Sequence, residues 1–136
     1  MMKVALLGVA LLLTVSQTAW AAQACGDKTS QTEMNVCAAG EYKQADAQLN
    51  ARYKQLQSRL KGDEAAAKRL VAAQRAWIGF RDADCQFSSG ASEGGSLHGF
   101  VLSSCLTEKT QARSAEFDKL LNCPEGDTSC PVPPAP

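Results

Sequence analysis

The stretch SQTEMNVCAAGEYKQADAQLNARYKQLQSRLKG, residues 30–62, decides the fold. Ser30 with Glu33 three residues on is a capping box, in which each side chain covers the other's backbone N–H at a helix start. Beyond it Met34, Ala38, Tyr42, Ala45, Leu49, Tyr53, Leu56 and Leu60 recur at steps of three and four, which traces one helical stripe. Gly62 stops the helix, since glycine takes a left-handed C-terminal cap without strain. Asp63 then caps a second helix, with Glu64 in the first turn where the helix dipole favours negative charge. This helix is predicted to run to about Cys85 or Phe87, on a stripe of Leu70, Ala73, Trp77 and Phe80 flanked by Val71 and Ile78. A connection as short as Gly62-Asp63 forces the two helices into an antiparallel hairpin.

Working outward, SSGASEGGS (residues 88–96) combines small hydroxyls with three glycines and reads as a loop. A third helix is predicted from about Leu97 to Leu121, with Leu97, Val101, Cys105, Ala112, Phe117 and Leu120 on a less regular apolar face. No segment alternates with the period of a strand. The expected fold is all-α: a small antiparallel three-helix domain at residues 25–121, stapled by disulfides, with a Pro-rich tail at 122–136.

Residues 1–24 read as a signal peptide: Lys3, an almost wholly apolar run from Val4 to Val15, then Ala19-Trp20-Ala21 or Ala22-Gln23-Ala24 as a cleavage site. That run is too short to span a bilayer, and no later stretch is long and apolar enough to do so. The mature chain is expected in the periplasm or secreted. A lipid anchor at Cys25 is not expected. Ala22 stands where a lipoprotein signal carries Leu, and acylation would leave an odd number of cysteines.

All six cysteines (25, 37, 85, 105, 123 and 130) lie in the exported part, which implies disulfides. Six cysteines allow about fifteen pairings; the most local set, 25–37, 85–105 and 123–130, closes three short loops and is preferred. No metal is expected, because there is no C-x-x-C pair and His98 is the single histidine. Setting Lys3 aside leaves thirteen Lys and Arg against fourteen Asp and Glu. That balance argues against a nucleic-acid partner, which calls for a basic face.

The chemically loudest run is AQRAWIGFRDADC, residues 73–85. Asp82 and Asp84, two apart on a helix, do not face one another, so they make a poor catalytic pair. Trp77 and Phe80 are expected to pack on Tyr42, Leu49 and Tyr53. Arg81 can lie over the Trp77 ring and pair with Asp84, while Arg75 and Asp82 point to solvent. Gly79 is out of place inside a helix, which suggests close helix contact or a notch. No nucleophile–base set is present, the glycines of SEGGS lack the strand and Lys of a phosphate loop, and no cofactor is expected. The run reads as a packing seam, and the chain as a non-enzyme.

In order along the chain, CGDKTSQTEMNVCAAGEYKQADAQLNARYKQL, LVAAQRAWIGFRDADC, EGGS and CLTEKTQARSAEF resemble the LprI-type lysozyme-inhibitor family over residues 25–121. The resemblance implies a small all-helical fold with family cysteines at Cys25, Cys37, Cys85 and Cys105; the pair Cys123 and Cys130 departs from that pattern. It also implies an exported protein that blocks a lysozyme cleft without chemistry of its own. Such a cleft holds two carboxylates, and a stiff projection offering donors would fill it. The loop at 88–96 is that projection, with Ser92, Glu93 and Ser96 as contacts and Arg81 and Asp82 at the margin. The competing class is a non-catalytic envelope adaptor binding another exported protein.

Overall fold

A computed structural model describes residues 25–135; the proposed signal peptide lies outside the described residues. Three helices follow in order, α1 (Gln31–Arg59), α2 (Glu64–Ser89) and α3 (His98–Leu121), with a 3-10 turn at Gly90–Ser92 between the last two. No strand occurs among the described residues. The capping box forms as its sequence requires: Glu33 N–H donates to Ser30 Oγ at 3.2 Å, and Ser30 N–H to Glu33 Oε2 at 3.1 Å. Gly62 adopts φ +100°, and Asp63 Oδ1 accepts from Ala66 N–H at 2.9 Å to open α2.

Antiparallel turns at both ends of α2 leave α1 and α3 parallel to each other. The register is visible in three places: Asn35 Nδ2 donates to Ser96 O, the Tyr53 ring stacks on Phe117 with centroids 6.2 Å apart, and Arg52 pairs with Asp118 at 2.6 Å. Among the described helices, α1 and α3 share the most extensive backbone contact. Small buried side chains allow it: Ala38 and Ala45 on α1, Thr107, Thr110 and Ser114 on α3. Helix α2 stands farther off, and long side chains fill the gap.

The apolar core gathers at the end holding the Gly62 turn. Leu49, Leu56, Phe117 and Val132 are buried there, with Tyr53, Leu70, Trp77 and Leu120 packed around them. Val132 belongs to the Pro-rich segment, which therefore folds back onto the bundle. The Cys123–Cys130 bridge shapes it, and Arg59 Nη1 donates to Pro133 O at 3.1 Å. All three disulfides take the local pairing: 25–37, 85–105 and 123–130.

Two stripes differ from the sequence expectation. On α2 the buried residues are Ala66, Gln74, Arg81, Cys85 and Ser89, with Leu70 and Trp77 half-buried. Phe80 is 61% exposed and Ala73 is also at the surface, so neither builds the core. Arg81 takes the inner place because its stem is apolar and both a ring and an acid can reach its head. On α3, Ala112 and Leu97 are exposed, and burial runs through Thr107, Thr110 and Ser114 to Phe117. Helix α2 also continues to Ser89, past its expected stop. Ser88 Oγ donates to Asp84 O at 2.8 Å and Ser89 Oγ to Gln86 O at 3.4 Å, so these hydroxyls bond back onto the helix instead of breaking it.

Candidate functional site

The loop end of the bundle is built from the α2–α3 connection, the start of α1 and two disulfides. With Ser88 and Ser89 helical and Gly90–Ser92 a 3-10 turn, the irregular chain shrinks to Glu93–Leu97. It is held on every side. Cys85–Cys105 ties the last turns of α2 to α3, with Cα atoms 5.6 Å apart. Successive turns close through Glu93 N–H to Gly90 O, Gly95 N–H to Ser92 O and His98 N–H to Gly95 O, at 3.0 to 3.2 Å. Gly94 takes φ +78°, a conformation that a side chain would strain.

Asn35 fixes the loop to α1. Its Nδ2 donates to Ser96 O at 2.9 Å, while its Oδ1 accepts from Gln31 Nε2 at 3.0 Å, which sets the amide's orientation. Gly99 makes room for it: a Cβ there would meet Asn35 Cγ at 3.3 Å. Below α1, Cys25–Cys37 secures the segment that precedes the helix, and Cys25 is wholly buried. Neither Asn35 nor Gly99 is legible in the sequence as a tether, because the contact spans 61 residues.

The five residues singled out in the sequence do not form one cluster. Ser92 is half-buried and engaged: its Oγ donates to Ser89 O at 2.7 Å and lies 3.2 Å from His98 Nδ1. Glu93 and Ser96 are exposed at the tip. Around this end stand exposed apolar side chains that the sequence did not single out as site residues, Val36 (68%), Phe87 (86%) and Leu97 (43%), the last expected on the apolar face of α3.

Arg81 and Asp82 lie further up α2 and pair with each other at 2.8 Å. Arg81 is only 6% exposed. Its guanidinium lies 5.2 Å from the Trp77 ring and 5.5 Å from Tyr42, reaches Asp46 at 3.7 Å, and donates to Thr110 Oγ1 at 3.5 Å. The Tyr42 phenol is pushed above its usual range, by burial foremost; Arg81 opposes that, and Asp46 and Asp82 add to it. Asp84 pairs with Lys109 at 2.6 Å instead of with Arg81. Arg113 completes the layer: its head lies over Phe117 at 4.6 Å and Trp77 at 5.7 Å, and its Nε donates to Gln74 Oε1 at 3.2 Å.

Ser92 and His98 touch, but the Ser92 hydroxyl proton is spent on a backbone carbonyl, so the contact braces the loop instead of activating a nucleophile. Among the described residues one group has metal-ligand proximity, Cys25, Cys37 and Glu41. Its two sulfurs are joined in a disulfide and offer no thiolate. No helix of the described residues is long and apolar enough to cross a membrane.

The family model described as lysozyme inhibitor LprI matches residues 21–117, which takes in all three helices up to Phe117 and the whole loop end. The chain belongs to the LprI lysozyme-inhibitor family. Within this LprI domain lie the loop and its Asn35 tether, the Arg81 layer and two of the three disulfides; the Cys123–Cys130 bridge falls beyond it. The chain is also similar to an uncharacterized protein of Rhizobium meliloti (strain 1021), 36% identical over 138 residues that take in 91% of this chain and 99% of that one. No solved structure matches it.

Proposed function

We propose that this LprI-family chain is an exported inhibitor that binds lysozyme and obstructs its cleft with the loop end. The family description supports the target, and the tethering of Glu93–Leu97 supports the mode. A loop already fixed by the Asn35–Ser96 bond and the Cys85–Cys105 bridge loses little freedom on binding, so more of its contact energy is realised as affinity.

In this reading the Ser96 hydroxyl and the Gly94 N–H donate to the cleft carboxylates, which a lysozyme cannot neutralise without losing its acid and its nucleophile. Glu93, exposed at the tip, pairs with cationic groups at the cleft rim. Ser92 positions the turn from within. Asp82 stays at the margin on α2, and Arg81 acts from the interior by holding α2 in place.

The observation that carries the proposal is a rigid, polar, solvent-facing loop inside a domain of an inhibitor family. The test is titration of the oxidised protein into a c-type lysozyme assay on cell walls. Inhibition is expected at stoichiometric to micromolar protein. Glu93→Ala and Ser96→Ala are expected to weaken it together by roughly tenfold or more, with melting temperature unchanged. Lysis that continues unaltered at micromolar excess, against c-type and other lysozymes alike, rules the proposal out.

A further inference from the structure

Under the Pro-rich segment the bundle leaves a space that its own side chains do not fill. Between α2, α3 and the tail lies a cavity of about 300 Å³, open to solvent on one side. Its walls are apolar: Leu60 at the end of α1, Leu70 on α2, Phe117 and Leu120 on α3, and Pro131 and Val132 from the tail. Leu120 and the two tail residues lie beyond the matched family domain, so one wall is built by sequence outside it. The Cys123–Cys130 bridge and the bond from Arg59 to Pro133 O hold that wall in place.

Two features of the sequence account for the space and for its polarity. On α2 the cavity is lined by Ala66 and Ala73, whose single methyl groups leave the gap that a leucine would close. The charged residues along it are two guanidinium groups, Arg69 and Arg113, and no acid lines it. Arg113 gives Nε to Gln74 and Nη1 to Glu116, which leaves Nη2 without a partner among the described residues. Glu116 already answers the charge of Arg113. Arg69, exposed and without an ion pair among the described residues, supplies the unbalanced cation.

We propose that this cavity binds a free medium-chain fatty acid, its alkyl chain against Leu70, Phe117, Leu120 and Val132 and its carboxylate on Arg69, with Arg113 Nη2 as a second donor. Apolar walls favour an alkyl chain, which gains by leaving water. A free guanidinium favours a carboxylate, which it meets with two parallel hydrogen bonds. At roughly 30 Å³ for each water-sized group, the space holds about ten such groups, which is a chain of about eight to ten carbons. The paired, longer chains of a membrane lipid do not fit it.

The cavity sits at the Gly62 end of the bundle, away from Glu93–Leu97, and its ligand does not depend on lysozyme being the target. A chain held between the tail and two helices stabilises the folded state by mass action, so the melting temperature rises with ligand concentration.

Isothermal titration calorimetry of the oxidised chain with sodium octanoate, sodium decanoate and decanol tests it. Decanoate is expected to bind one per chain at about 10–100 μM. Octanoate, two methylenes shorter, is expected to bind about fifteenfold more weakly, and decanol, without the charge, about tenfold more weakly or worse. Arg69→Gln is expected to weaken decanoate about fivefold or more with the melting temperature of the free chain unchanged. Ala73→Leu fills the space: it is expected to abolish decanoate binding while the melting temperature of the free chain holds or rises. No binding of decanoate up to about 1 mM, binding that ignores chain length or the carboxylate, attachment to phospholipid vesicles in place of the free acid, or either variant binding as wild type overturns the proposal.

Discussion

Removing the buried guanidinium should separate what Arg81 does for the fold from what the loop does for binding. Arg81→Met keeps most of the apolar stem and deletes the charge. Two cation–ring contacts, at 5.2 and 5.5 Å from Trp77 and Tyr42, are lost; each is worth about 0.5–1 kcal/mol where the rings are half-buried. The acids it leaves, Asp46 and Asp82, have side chains 42% and 47% exposed and regain water, so the ion pairs add at most about 1 kcal/mol together. The expected cost is about 2 kcal/mol. Arg81→Ala also strips stem methylenes at about 0.8 kcal/mol each and opens a cavity beside Trp77, which brings the cost to about 4 kcal/mol. Urea unfolding of the oxidised proteins, followed by far-UV circular dichroism at matched slope, measures both. Lysozyme titration of Arg81→Met, well below its melting temperature, is expected to match wild type. If Arg81→Met proved as stable as wild type, the guanidinium would be merely tolerated, as some buried ion pairs are, and the account of α2 packing would be wrong.

Replacing both Cys85 and Cys105 by Ala opens a loop of 20 residues and should cost about 3 kcal/mol in the chain-entropy estimate, with inhibition weakened as the tip loosens; a drop in melting temperature of only a degree or two would contradict it. Hydrogen bonds from Thr29 and then Ser30 hold the Glu33 carboxyl below its ordinary value, so its contribution is present above about pH 4.5 and is lost as pH falls through the lower folded value. The stability difference between wild type and Glu33→Gln, measured from neutral to strongly acid pH, should therefore shrink on acidification; a difference that stays constant excludes the linkage. Val132→Ala removes buried methyl groups from a residue 7% exposed and should cost about 2 kcal/mol, while an unchanged melting curve would mean the Pro-rich segment adds nothing to the core.

Local chemistry made α1, its cap and the Gly62 turn legible, since each depends on residues a few positions apart, and the disulfide partners are legible as the most local pairing of six cysteines, at separations of 12, 20 and 7 residues. The phase of α2 was not legible in the same way. Counting apolar residues puts Ala73 and Phe80 inside, whereas the helix turns Gln74 and Arg81 inward and leaves Phe80 and Phe87 outside. A long cationic side chain that finds two rings and two acids outranks a phenyl for the inner place; Tyr42 and Asp46 come from α1, Trp77 and Asp82 from α2 itself, and α3 adds the Thr110 hydroxyl as an acceptor. Helix α3 shows the same limit. Thr107 hides its hydroxyl on Ser103 O at 2.8 Å, so it packs as a small residue despite its polarity. The choice of the loop residues Glu93 and Ser96 rests on the family resemblance and on a glycine-rich loop bracketed by cysteines. Their rigidity comes from Asn35 and Gly99, whose roles exist only once α1 and α3 lie side by side.

The two kinds of packing divide the labour among the helices. Between α1 and α3 small side chains bring the backbones together along their length, which makes that pair the rigid frame. Helix α2 is mounted on the frame by a layer of guanidinium groups and rings, Arg81 and Arg113 with Tyr42, Trp77 and Phe117. Such a layer is directional: its attachment depends on a few heads meeting a few rings, so it tolerates little rotation of the helix about its own axis. That restraint is what keeps Phe80, Phe87 and Gly79 facing solvent as a continuous strip. At the loop end the frame takes over again, because Asn35 belongs to α1 and Gly99 to α3. Loosening the middle of α2 should then disturb the outward strip before it disturbs the loop tip.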